Sequence, residues 1–131
     1  MKWFQLLSVG FGGALGAMCR FGISYAIAQR SASLFPWGTL AANVAGCFLL
    51  GALYEAGSWI AIDPELRFTI AVGFLGALTT FSTFTLETLN LVRDKEWGMA
   101  VLNVGANGVI GIAACLAATW LVRALGKAAV A

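Results

Sequence analysis

Residues 73–88 read GFLGALTTFSTFTLET. Five hydroxyl side chains stand before the first charge, Glu87, in company with two glycines and three phenylalanines. Glycine and β-branched threonine both weaken a helix, and a hydroxyl without a partner is costly in hydrocarbon. The residues on either side are apolar enough to lie in lipid. The stretch is therefore either a weak point in a membrane helix or its working part.

The rest of the chain places it in a bilayer. Of 131 residues 60% are hydrophobic and 11% charged, less than half the roughly 25% charge of a soluble domain. Charge-free runs cover 3–19, 31–54, 68–86 and 97–122, and a spanning helix needs about 20 apolar residues. Helices satisfy their own backbone groups in hydrocarbon. An all-α membrane protein is expected, one domain over 1–131 with spans near 4–28, 37–58, 67–92 and 97–122. Trp3, Trp37, Trp59, Trp97 and Trp120 fall near those ends, where indole rings meet headgroups. Pro36 precedes the second span and Pro64 sits in the polar second loop.

A cleaved signal peptide is the competing reading of the N-terminus, since Lys2 precedes an apolar run ending at Ala17-Met18-Cys19. The glycine-rich run, the Arg20 that follows it and the odd number of spans left by cleavage favour a retained helix. Cys19, Cys47 and Cys115 have no metal-type spacing and are expected as buried apolar fillers. Small residues in Gly12-Gly13-Ala14-Leu15-Gly16-Ala17 predict close helix packing.

A net charge of +2 is too small to suggest nucleic acid. With four spans, Lys2, Arg67, Arg123 and Lys127 share one side, whereas Arg30, Arg93 and Lys95 lie opposite, with Arg20 towards that end of the first helix. The positive-inside rule then has almost no bias to act on. The expectation is a chain that inserts both ways up and pairs head to tail with its own copy.

The polar residues inside the spans ask for partners. Thr39 and Asn43 lie four apart, with Gly46 one turn on, and Asn103, Asn107 and Gly111 repeat the pattern in the fourth span; each set shares a helix face. Interhelical hydrogen bonds worth about 1 kcal/mol are the plain explanation. The third span adds to this. Phe81 and Phe84 share a face, and Ser82, Thr83 and Thr85 spread hydroxyls around the same turn. Gly73, Gly76 and Thr79-Thr80 predict a break near the bilayer midplane, which is tolerated only where the freed backbone is buried in protein or lines a watery cavity. The interior holds no histidine or aspartate, and Glu87 lies towards a helix end, so an acidic path for cations is not evident. Amide NH2 groups, hydroxyls and the electropositive ring edges of Phe81 and Phe84 suit a small hard anion. Arg20 is costly in lipid and marks an ion path or a structural pairing.

On these residues the chain resembles the Fluc fluoride channels, also called CrcB proteins. The likeness rests on GFLGALTTFSTF at 73–84, on Gly12-Gly13 to Arg20-Phe21, and on Gly38-Thr39-Leu40 with Asn43 and Gly46. It covers essentially the whole chain. It implies a dual-topology antiparallel homodimer with two fluoride pores and a structural sodium ion at the two-fold axis, in a bacterial inner membrane. Backbone carbonyls of Gly76 and Thr79 would hold the sodium. Phe81 and Phe84 match the family's phenylalanine box and Asn43 its pore asparagine. Ser82 and Thr83 fall in its polar track, Thr39 near the pore, and Arg20 at a vestibule. Asn103 and Asn107 are expected along the fluoride pore as well: some members carry tyrosine and serine there and others the two asparagines, and glycine is common where this chain has Ala77.

The leading expectation is passive fluoride export, with no enzyme chemistry. The alternative, a small dual-topology drug/proton antiporter, needs a membrane-embedded acid, and Glu87, expected at a pore mouth, is the candidate. A purely structural subunit would leave the clustered donors without a role.

Overall fold

The computed structural model describes residues 3–130, with side chains to 128. It is all helical, and four of its stretches are long and apolar enough to cross a membrane. The first span is α1, Trp3–Ala28. The second is α2, Trp37–Ala56. The third covers Pro64–Arg93 in pieces: α3 (Pro64–Phe68), a π-helical segment (Thr69–Leu75), α4 (Gly76–Leu78) and α5 (Phe81–Arg93). The fourth is α6, Trp97–Val130.

Two boundaries differ from the sequence expectation by more than two residues. The third span begins at Pro64, three residues early, because Asp63 caps it, accepting from the Glu65 and Leu66 amides at 2.9 and 3.0 Å. Aspartate followed by proline at the first helical position is a strong start signal. The fourth span runs past residue 122 through RALGKAAV, rich in good helix formers. Trp120 consequently stands inside α6, well before its end.

Close backbone approach joins the first span to the third. A Cβ on Gly12 would lie 2.5 Å from the Thr69 carbonyl oxygen, one on Gly73 would lie 2.6 Å from that of Val9, and one on Gly16 would overlap the Phe74 carbonyl. The small-residue stripe of α1 is thus a packing surface, against the wide π-helical turns. α2 and α6 share the most extensive interface among the described elements. There Gly51 faces Cys115 and Gly111 faces Cys47. Those two cysteines are half-buried as fillers, but Cys19 is exposed, since it lies on the outer face of α1. Of the charges weighed for orientation, Lys2 lies outside the described residues. Arg123 is not free: it forms a bidentate ion pair with Glu55 on α2, at 2.9 and 3.0 Å.

Candidate functional site at the interrupted span

The third span loses its helical path at two residues. Thr79 (φ −81°, ψ 152°) and Thr80 (φ −150°, ψ 116°) are extended, between α4 and α5. In an unbroken helix the amides of residues 80–83 would donate to the carbonyls of residues 76–79. Here the Thr80 amide goes to Asn43 Oδ1 on α2 at 2.8 Å, and the Thr83 amide to the Thr80 hydroxyl at 3.3 Å, which caps α5. Arg20 Nε on α1 donates to the Ala77 carbonyl at 3.1 Å. The carbonyls of Gly76 and Thr79 lose the donors that continuous helix would supply. The break thus lies inside the stretch flagged from sequence, and neighbouring spans compensate it.

The predicted stripe on α2 meets the third span at every turn. Thr39 donates its hydroxyl to Glu87 Oε1 at 2.8 Å. Asn43 grips the break from both sides, accepting from the Thr80 amide and donating to the Thr80 carbonyl at 3.4 Å. Gly46 leaves room for the Thr79 methyl, which a Cβ at that position would strike. Opposite, Asn43 Nδ2 donates to Asn107 Oδ1 at 2.8 Å. Asn107 Nδ2 donates to Asn103 Oδ1 at 2.9 Å, and Asn103 Nδ2 to the Thr88 hydroxyl at 2.9 Å. Asn103 is wholly buried, at 0% exposure. The amides expected as anion donors are joined to one another and to the break.

The phenylalanines stand at the edge of this cluster. Phe81 and Phe84 are tilted by 50° with centroids 5.5 Å apart, and Phe81 is 80% exposed. Together with Asn43, Gly76, Thr79, Thr80 and Asn107 they border an open, mainly apolar groove of about 920 Å³. Ser82 is exposed, and Thr83 shares a 3.0 Å hydroxyl contact with Thr80. A second cavity, of about 350 Å³, lies towards the α1–α2 loop and includes Ser24, Thr39, Glu87, Asn90 and Asp94. Glu87 Oε2 there is buried and unpartnered among the described residues.

Sequence reading missed three features. Thr80 acts as a cap, which its place before FSTF could have suggested. Thr88 anchors Asn103, and its spacing from Phe84 carries no special signal. Glu55, 5% exposed and paired with Arg123, was passed over because it sits just beyond a charge-free run. Trp59 donates to the same carboxylate at 3.4 Å, and its indole lies against Gly126.

Four apolar spans, one interrupted at Thr79–Thr80 with the break held by Asn43 of the second span and Asn43 in turn held by Asn107 of the fourth, define a multi-pass helical membrane protein. Comparison with known proteins narrows the class. The family model described as CrcB-like protein, Camphor Resistance (CrcB), matches residues 7–120, and the chain belongs to that family. Its relatives include proteins named fluoride-specific ion channel FluC. That of Shewanella sp. (strain ANA-3) is 47% identical over 117 residues, covering 89% of this chain and 91% of the relative. That of Citrifermentans bemidjiense is 44% identical over 118 residues, covering 89% and 92%. The family is one of bacterial multi-pass membrane proteins, and these relatives are named as channels, not enzymes.

Proposed function

We propose that the protein is a passive fluoride channel that lets the anion leave the cell, working as an antiparallel, dual-topology homodimer with two pores. The observation that carries this reading is the Thr79–Thr80 break: Asn43 holds it, and the Phe81 and Phe84 rings beside it border an open groove. The names of the relatives supply the ion. A second copy of the chain, inverted, fills the groove. Fluoride trades its hydration shell for the Asn43 amide, the hydroxyls of Ser82, Thr83 and Thr39, and the ring edges of Phe81 and Phe84. None of these contacts is strong enough to trap it. Asn107 borders the path, and Asn103 stands behind it. Arg20 and Glu87 lie towards the vestibules.

A structural sodium ion at the two-fold axis fits the donors present. The Gly76 and Thr79 carbonyls are hard oxygen ligands whose helical donors are diverted to Asn43 and the Thr80 hydroxyl. In an isologous dimer each carbonyl near the axis meets its own copy. The cation would neutralise those converging carbonyls and hold the subunits together.

Purified protein in liposomes, with a potassium ionophore present, should release fluoride quickly and retain chloride. Equal chloride release, or none of either ion, overturns the reading. One observation favours a drug/proton antiporter instead: the unpartnered Glu87 Oε2. That alternative requires proton-coupled cation movement that disappears in Glu87→Gln.

A further inference from the structure

The amide hydrogen bonds around the break run in one direction and close on themselves. The Thr80 N–H can only donate, so the Asn43 atom facing it is the oxygen. That turns Asn43 Nδ2 to Asn107 Oδ1, Asn107 Nδ2 to Asn103 Oδ1, and Asn103 Nδ2 to the Thr88 oxygen. Thr88, accepting there, donates its one proton to the Phe84 carbonyl at 2.8 Å, which can only accept. The circuit leaves the third span at Thr80, crosses α2 and α6, and returns at Thr88. Reversing a single amide would set oxygen against oxygen or N–H against N–H: the Thr80 amide fixes Asn43, and the Asn103 backbone carbonyl, which also accepts from Asn107 Nδ2 at 3.0 Å, fixes Asn107. Aligned in this way, the bonds polarise one another.

We infer that Asn103 and Thr88 are positioning residues that brace Asn107 and, through it, the Asn43 amide, and so hold the Thr80 amide at the break. Asn103 is fully buried, and Thr88 directs its proton back to its own helix. Asn43 has its oxygen fixed on Thr80 and one N–H fixed on Asn107. Its other N–H makes only the 3.4 Å contact with the Thr80 carbonyl. That is the one donor of Asn43 free to be exchanged for an anion. This last consequence rests on the channel reading, whereas the circuit itself does not.

Hydrogen exchange at the Thr80 backbone amide, followed by NMR on the full-length assembly in lipid nanodiscs, reads the circuit without ion flux. Thr88→Val keeps the shape and loses the hydroxyl, and Asn103→Leu removes the amide. Each should speed exchange at Thr80 by about tenfold, on the scale of one hydrogen bond lost. Because both act on the same chain of bonds, the double variant should exchange no faster than the quicker single one. Thr88→Ser restores the hydroxyl and should exchange as the wild type does. Should Asn103→Leu fail to assemble, the Val and Ser variants at Thr88 decide by themselves. Unchanged exchange in Thr88→Val, equal acceleration in Thr88→Ser, or multiplied effects in the double variant overturns the inference.

Discussion

The third and fourth spans make opposite use of similar material. α6 carries Gly98, Gly105, Gly108, Gly111 and Gly126, and still runs from Trp97 to Val130 without a break. The third span has only Gly73 and Gly76 yet opens at Thr79–Thr80. Glycine weakens a helix by about 1 kcal/mol, so glycine alone does not decide where a membrane helix breaks. The deciding factor is a replacement for the bond that is lost. Thr80 finds Asn43 for its amide and offers its own hydroxyl to Thr83, whereas the α6 glycines have no such outside partner among the described residues. The polar groups of α6 serve instead as props: Asn103 and Asn107 for the break, and Arg123 for the ion pair with Glu55.

That contrast predicts a graded set of effects. Phe81→Ile, at the open edge of the third span, should lower fluoride efflux from liposomes by at least about tenfold, roughly the loss of 1.4 kcal/mol, with the gel-filtration profile unchanged. Unaltered efflux would separate the ring from conduction. Gly46→Ala and Gly111→Ala then set one stripe against the other. The first pushes a methyl into Thr79 at the break, where overpacking costs about 1–3 kcal/mol, and efflux should drop several-fold. The second meets only the Cys47 thiol at 3.4 Å, and both efflux and thermal midpoint should stay near wild type. If the two variants behave alike, the contrast between the spans fails.

Smaller effects belong to the fourth span and its approach. Arg123→Gln leaves the embedded Glu55 without its cation, so the thermal midpoint should fall while the fluoride-to-chloride efflux ratio holds. A changed ratio would tie that end of the molecule to conduction. Lys95, in the turn between α5 and α6, has φ 63°, a conformation that favours glycine. Lys95→Gly should raise stability by up to about 1 kcal/mol, read as a higher thermal midpoint with efflux unaltered.

The spans and the location of the break were legible because hydrophobic runs and local helix propensity are properties of short segments. The stripes were legible too, since i, i+4 spacing fixes a shared face before any partner is known. What those faces meet was not. Nothing in Thr39-x-x-x-Asn43 says that one turn holds Glu87 and the next holds the break, and nothing at Asn103 says that its amide is sealed behind Asn107 on Thr88. Such pairings depend on the register between spans, which backbone contacts at Gly12 and Gly16 and the side-chain contact at Gly46 set. Arg20, expected at an ion path or a structural pairing, makes the latter, with the Ala77 carbonyl. The pairing of Glu55 with Arg123 was not legible, since the two lie 68 residues apart in sequence.

The most direct test of conduction at the interrupted span places fluoride itself. Fluorine-to-nitrogen and fluorine-to-carbon dipolar dephasing, in solid-state NMR on membranes soaked in fluoride, reports which labelled side chains lie beside the ion. The Asn43 side-chain nitrogen and the Phe81 and Phe84 ring carbons should dephase, and the Arg123 guanidinium should not. Dephasing confined to Arg123, with Asn43 silent, would place the anion on a cation away from the groove and contradict a path through the break.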